Sequence, residues 1–212
     1  MELSEGGVLE NMALRTFKGG VHPRYNKDAT FKKPIKNIPS PGQVVIPLHQ
    51  HTGAPCEPLV KAGDEVKVGQ KIGDSKARLT APVHASVSGK VKAVVNHLQS
   101  SGMDGLCVVI ESDGLDTPDE SIRPRDNADR LGKEELISIV REAGVVGLGG
   151  AAFPTYFKLT PPAGKTFDTL VLNGAECEPY LSADHRLMVE RPMDVVRGIK
   201  LLMKASNVGQ AV

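Results

Sequence analysis

Short apolar runs broken by tight polar turns fill residues 43 to 111: QVVIPL, EPLVKAGDEVKVGQKIG, LTAPVHASVSGKVKAVV and LCVVIES. Runs of that length, separated by Gly-Asp, Gly-Gln and Ser-Gly, predict the short strands of a small β domain. The texture changes over 112–130, SDGLDTPDESIRPRDNADR, where two prolines, an acidic excess and no apolar periodicity predict a linker. In GKEELISIVREAG, Leu136, Ile137, Val140 and Ala143 recur at helical spacing, and Gly144 stands where a helix C-terminal glycine belongs. A glycine-rich loop, GVVGLGGAAFPTYFKL, leads into a strand, TLVLNGAE, which is expected to be buried. Asp184 is expected to cap a helix holding Arg186 to Glu190. Val195, Ile199 and Leu202 share a face of a second helical run, and VGQAV reads as the entrance to another strand. Strand, helices and strand predict a βαβ crossover whose closing strand is cut short, so the chain is expected to be a fragment of a longer protein.

The repeat V-K-x-G-D-x-V-x-x-G-Q-x-I, followed by the run APVHASVSGKV, resembles the barrel-sandwich hybrid of biotinyl and lipoyl domains. A carrier of that type needs an acceptor lysine at the tip of the hairpin between its halves, and Lys76 in GDSKAR is the candidate. Its spacing to Gly89 is longer by about two residues than in lipoyl domains, which sets it off the tip. The expected reading is a scaffold with the carrier's shape, with a lipoyl or biotin carrier as one alternative.

The loop at Gly147 nominally satisfies G-x-G-x-x-A through Gly147, Gly149 and Ala152, but a helix precedes it where a dinucleotide fingerprint requires a strand. What remains is physical: consecutive glycines let backbone N–H groups approach a flat or anionic ligand, and they can also form a mere tight turn. Lys158, just beyond, offers a positive charge. Asn173, Glu176 and Glu178 follow the expected strand at its C-terminal end, where ligands of α/β sheets bind.

Composition narrows the classes. The 212 residues are 40% hydrophobic and 4% aromatic, with 26 Lys and Arg against 25 Asp and Glu, so a nucleic-acid binder with a strong basic field is not expected. The 22 glycines and 15 prolines suit turn-rich β structure. No apolar run reaches membrane-spanning length, and MELSEGGVLEN lacks the basic start of a signal peptide. Residues 1–14 are expected to be a disordered extension. The arm over 15–42 carries Arg15, Lys18, Arg24, Lys27, Lys32, Lys33 and Lys36 before its end, and reads either as a docking arm for an acidic partner or anionic membrane face or as a solvated wrapping segment. Cys56, Cys107 and Cys177 match neither a disulfide framework nor a cluster motif. Flanked by Glu176 and Glu178, Cys177 is expected to be structural rather than nucleophilic. His49 and His51 alternate as on a strand, with no third metal ligand near in sequence.

GVVGLGGAAFPTYFKL and VLNGAECEPYLSADHRLM resemble the flavin motifs G-x-x-G-x-G-G-A-G-F-P-T-G-x-K-W and N-A-D-E-x-E-P-G of the NADH-oxidising flavoprotein subunit of respiratory complex I. With FKGGVHP and QHTGAPCEP ahead of the lipoyl-like repeat, the order from about Phe17 onward is similar to the C subunit of the Rnf electron transport complex. The resemblance implies a β plus α/β chain: a lipoyl-like barrel-sandwich hybrid over 43–111, then, over 131–212, an incomplete Rossmann-like domain for FMN and NADH. It implies that Gly147, Gly149 and Gly150 lie against FMN, that Lys158, Asn173 and Glu176 bond or wall it, that Phe153 stacks on nicotinamide, and that Glu178 lies near the nucleotide. The implied function is electron transfer between NADH and ferredoxin through FMN, in a peripheral subunit on the cytoplasmic side of a membrane-bound, ion-translocating complex. Its partners are the other subunits and, indirectly, ferredoxin, with no nucleic acid. The family's [4Fe-4S] clusters belong to a region outside this sequence. Leu148 replaces an arginine of the complex I motif and Ala175 an aspartate, so one charge of each sign is missing. A non-catalytic adaptor is the other alternative.

Overall fold

A computed structural model describes residues 19, 21, 23–99, 102–124, 130–148 and 150–212. The extension expected over 1–14 lies outside them, as do Arg15, Lys18 and Gly149.

The β runs fold as two small sheets. Strands β1 (Gln43–Pro47), β7 (Asp104–Ser112), β6 (Gly89–Leu98) and β3 (Glu65–Val66) form one in that spatial order. Strands β2 (Glu57–Pro58), β4 (Lys71–Asp74) and β5 (Val83–His84) form the other. Every pairing in the two is antiparallel, and the two longest strands run side by side from Gly89↔Ser112 to Leu98↔Asp104 with a register shift between Val91 and Ala93. Alternation sends Val91 inward between Lys90 and Lys92, and Cys107 to Ile110 are all buried because β7 is covered along its length. Ile46, Leu48, Ile72, Val83, Val91, Val108 and Ile110 meet in one core. Burial of side chains this size stabilises by roughly 1.5–3 kcal/mol each.

The segment expected to be a linker is docked on this sandwich. Val68 N–H donates to Thr117 O and Val68 O accepts the Asp119 amide, Ser88 Oγ donates to Asp113, and Lys67 pairs with Glu120. Its polar residues find partners on the sandwich, so low hydrophobicity does not mean a free tether.

Helix α1 (Lys133–Glu142) ends as its sequence predicts. The Gly144 N–H donates to Arg141 O and the Val145 N–H to Val140 O, while Gly144 takes φ 66°. A Cβ there would also run into Pro82 O, so the same glycine lets the helix end sit on the sandwich. Leu136 is buried, whereas Ala143, expected on the apolar face, is the exposed C-cap. After α2 (Thr155–Lys158), strand β8 (Thr169–Leu170) leads to α3 (Ala183–Glu190), α4 (Pro192–Ser206) and β9 (Gln210–Ala211). Leu131, Leu136, Leu159 and Ala205 form the core that joins α1, α2 and α4.

Strands β8 and β9 pair in parallel, giving the strand–helix–helix–strand crossover read from the sequence. The expectation of a buried strand over TLVLNGAE is corrected: only Thr169 and Leu170 are strand, both half-buried, and Val171 is 70% exposed. Two strands alone cannot cover both faces of a parallel pair. Asp184 is not the cap of α3 either. It sits inside the first turn, and the Glu176 carboxylate accepts the amides of Asp184 (2.8 Å) and His185 (3.3 Å).

The basic arm wraps the far end of the chain. Lys27 donates to Glu176 O (2.6 Å), Thr30 to Tyr180 O (2.6 Å), Arg186 to Phe31 O (3.1 Å) and the Ile35 amide to the Glu190 carboxylate (3.0 Å). Of its two readings, this geometry is that of the wrapping segment. Among the described residues no helix is long and apolar enough to cross a membrane.

Candidate functional site

The glycine loop is a closed bulge. Gly147 N–H donates to Phe153 O (3.0 Å), Thr155 N–H donates to Val145 O (3.0 Å), and Val146 bridges Pro154. Pro154 is the N-cap of α2, and the short helix turns Lys158 back over the loop. A Cβ on Gly147 would lie 3.0 Å from Lys158 Nζ. Any larger residue there would displace the ammonium. Lys158 is exposed and forms no ion pair among the described residues. The amides of Leu148, Gly150 and Ala151 likewise find no acceptor among the described residues, so one loop carries several available donors beside a positive charge.

Ala152 completes the bulge at φ 47°, a left-handed conformation that costs a non-glycine residue roughly 1–2 kcal/mol. Phe153 meets Phe157 edge to face at 5.7 Å. Arg78 stacks its guanidinium on Phe157 at 5.6 Å, and Tyr156 Oη donates to Arg78 O (2.7 Å). The turn after β4 that holds Lys76 is therefore occupied: Arg141 also donates to Ser75 O (3.2 Å), and Ala54 N–H to Leu79 O (2.9 Å). Lys76 itself is exposed.

Sequence reasoning missed the sandwich's share of this region. Gln50, His51 and His84 face Gly147, Leu148 and Ala152 across a cavity of ≈ 300 Å³. Gly150, Ala151 and Ala152 also border a groove of ≈ 810 Å³ with His49, Thr52 and Gly53. His51 is buried, and its Nε2 lies within hydrogen-bond reach of the Ala81 amide (3.0 Å), Ala54 O (3.1 Å) and Thr80 Oγ1 (3.2 Å). Burial holds its pKa below the usual histidine value; a backbone bond at Ala54 opposes the shift and His49 adds to it. Burial also lowers His84. Among the described residues no three His, Cys, Asp or Glu converge as a metal site. Burial raises the Cys56 thiol, whose Sγ donates to Ala81 O (3.1 Å). Cys177, expected to be structural, is exposed, because the chain around it lies beyond the short β8.

Of the residues singled out in the sequence, the structure brings together Gly147, Gly150, Phe153 and Lys158. Gly149 lies outside the described residues. Asn173, Glu176 and Glu178 form a second group after β8. Asn173 Oδ1 accepts the Ala175 amide (3.0 Å) and leaves its NH2 exposed, while Glu178 is exposed. Glu176 spends its carboxylate on α3 and its carbonyl on Lys27. Among the described residues no hydrogen bond, ion pair or ring contact joins the two groups.

Comparison with known proteins matches residues 15–115 to the RnfC barrel sandwich hybrid domain and residues 140–212 to the Nuo51 FMN-binding domain. Similar relatives include the C subunit of the Na(+)-translocating ferredoxin:NAD(+) oxidoreductase complex of Acetobacterium woodii, 50% identical over 198 residues, which are 93% of this chain and 45% of that protein. The proton-translocating counterpart in Clostridium ljungdahlii is 47% identical over 198 residues, 93% of this chain and 43% of that protein. The C subunit of the ion-translocating oxidoreductase complex of Rhodobacter capsulatus is 40% identical over 204 residues, 95% and 38% of the two chains. The chain thus spans less than half the length of these curated relatives.

Proposed function

The chain belongs, over the residues it shares with them, to the family of C subunits of ion-translocating oxidoreductase complexes, and we propose that it supplies one wall of an FMN and NADH site in such a complex. The observation that carries this reading is Lys158 folded over Gly147, above a bulge whose outer amides have no acceptor among the described residues.

The residues present fit an anionic, flat-ringed group. FMN, when bound, takes up a hydride and hands electrons on singly. Lys158 and the loop amides supply positive potential toward its phosphate or its reduced ring. Leu148 is 92% exposed, so the missing arginine leaves no buried charge unbalanced. Gly147 keeps space beneath the ammonium. Phe153, steadied by Phe157, offers the face on which nicotinamide stacks, and the Asn173 NH2 and the Glu178 carboxylate remain available to ribityl or ribose hydroxyls. Glu176 does not fit a direct contact, since its oxygens already hold α3. In the intact subunit this wall serves electron transfer between NADH and ferredoxin, at the cytoplasmic side of the membrane and against the other subunits.

FMN fluorescence quenching tests the site on this chain and on a chain extended to the full length of its relatives. Lys158→Ala should weaken binding by about tenfold or more, the effect of a lost charge-assisted hydrogen bond of about 1.5–3 kcal/mol. Equal quenching by parent and variant overturns the role given to Lys158, and none by either chain overturns the cofactor reading and leaves the barrel as an assembly adaptor.

A further inference from the structure

The sandwich does more than adjoin the glycine bulge. Thr52, in the turn after β1, donates twice to it: its N–H to Ala152 O (3.2 Å) and its Oγ1–H to Ala151 O (2.5 Å). These are consecutive carbonyls, and that of Ala152 belongs to the residue held in the left-handed conformation. A strained backbone persists only where its surroundings over-determine it, and here two donors from a rigid β turn do so. With its carbonyls turned toward Thr52, the peptide units at Ala151 and Ala152 are fixed in direction, and so is the side from which a ligand can meet the bulge. The turn that carries Thr52 is itself tied down, since Ala54 N–H donates to Leu79 O and the His51 ring meets the Ala81 amide.

We propose that Thr52 is a positioning residue for the cofactor loop: the barrel-sandwich hybrid works as a jig that holds residues 150–152 in the conformation in which the Lys158 side of the bulge can take an anionic isoalloxazine ligand. This rests on the flavin reading above. The turn with Arg78 grips the neighbouring Tyr156 and Phe157, so the hairpin that presents a swinging lysine in carrier domains serves here as part of the same jig.

The test needs Thr52→Val, which removes the hydroxyl donor and keeps the shape, and Thr52→Ser, which restores the donor. Hydrogen exchange without flavin reads the grip directly. In Thr52→Val the amides of Gly147 and Thr155 at the base of the bulge should exchange roughly three- to tenfold faster, as for one lost hydrogen bond, while the amides of α1 keep their rates and Thr52→Ser behaves as the parent. FMN titration of the full-length subunit reads the consequence: affinity should fall roughly three- to tenfold in Thr52→Val and recover in Thr52→Ser. Unchanged exchange in Thr52→Val overturns the grip. Faster exchange with unchanged FMN affinity overturns the positioning role. A parent that takes no FMN sinks the flavin reading and with it the positioning role, and exchange then decides whether the grip alone stands.

Discussion

His51 shows how one buried side chain ties pH to folding. Burial keeps its imidazole neutral below the pH at which a free histidine takes its proton. The native pKa is depressed, so the unfolded chain binds more protons once pH drops below about 6.5, and the stability present above that value is lost on acidification. His84, depressed by its own burial, acts in the same direction. Each contributes a slope of at most about 1.4 kcal/mol per pH unit. The urea midpoint should therefore fall from pH 7 to pH 5, and the His51 ring signals should titrate below free imidazole. A midpoint that rises on acidification contradicts this account. Nothing in the pair His49 and His51 distinguished a core histidine from a metal ligand, because the Ala81 amide and the Thr80 hydroxyl that surround Nε2 lie 30 and 29 residues away. Thr52 was illegible for the same reason: its partner is 99 residues distant.

The α1–β4 junction is the corresponding problem at the scale of elements. Arg141, in the last turn of α1, forms a fork on Asp74 at 2.8 and 3.2 Å, and Lys71 bridges Asp74 and Glu142. Burial alone would raise the Asp74 carboxyl, but Arg141, the Ser75 amide and Lys71 hold it below its usual value. The pair is about a fifth to a quarter exposed, between the surface case of about 0.2–1 kcal/mol and the buried case of about 3–5 kcal/mol. Asp74→Asn should thus cost about 1–2 kcal/mol at low salt, with the gap from the parent narrowing in 1 M salt. Denaturation at two salt concentrations checks this, and no cost at low salt contradicts it. Local rules carried the elements well where one sheet or helix sufficed: short apolar runs between glycine-containing turns gave the sandwich strands, and Gly144 gave the end of α1. They failed at α3, whose capping carboxylate comes from Glu176, eight residues before Asp184, and at β8, whose apolar run looks buried in sequence but, among the described residues, pairs with β9 alone.

Across the whole molecule, the arm before β1 binds a segment far from it in sequence. Lys27 and Thr30 hold the carbonyls of Glu176 and Tyr180, and Tyr180 N–H donates back to Tyr25 O (2.8 Å). Tyr180 takes φ 65°, so these bonds fix a turn that would otherwise relax. The cation of Lys27 is therefore engaged in the fold, whereas Lys32, Lys33 and Lys36 remain exposed for solvent or a partner. Because Glu176 caps α3 while its carbonyl is held by Lys27, loosening the arm should be felt at the amides of Asp184 and His185 before anything happens in the sandwich, whose core begins at β1. Lys27→Met combined with Thr30→Val removes two hydrogen bonds, about 1–3 kcal/mol of local stability, and should speed exchange at those two amides by roughly tenfold. The amides of β6 and β7 should keep their parental rates, since they open only with the sandwich itself. Equal acceleration in both regions would mean that the arm supports the entire chain, and no change at Asp184 and His185 would mean that the arm rests on α3 without holding it.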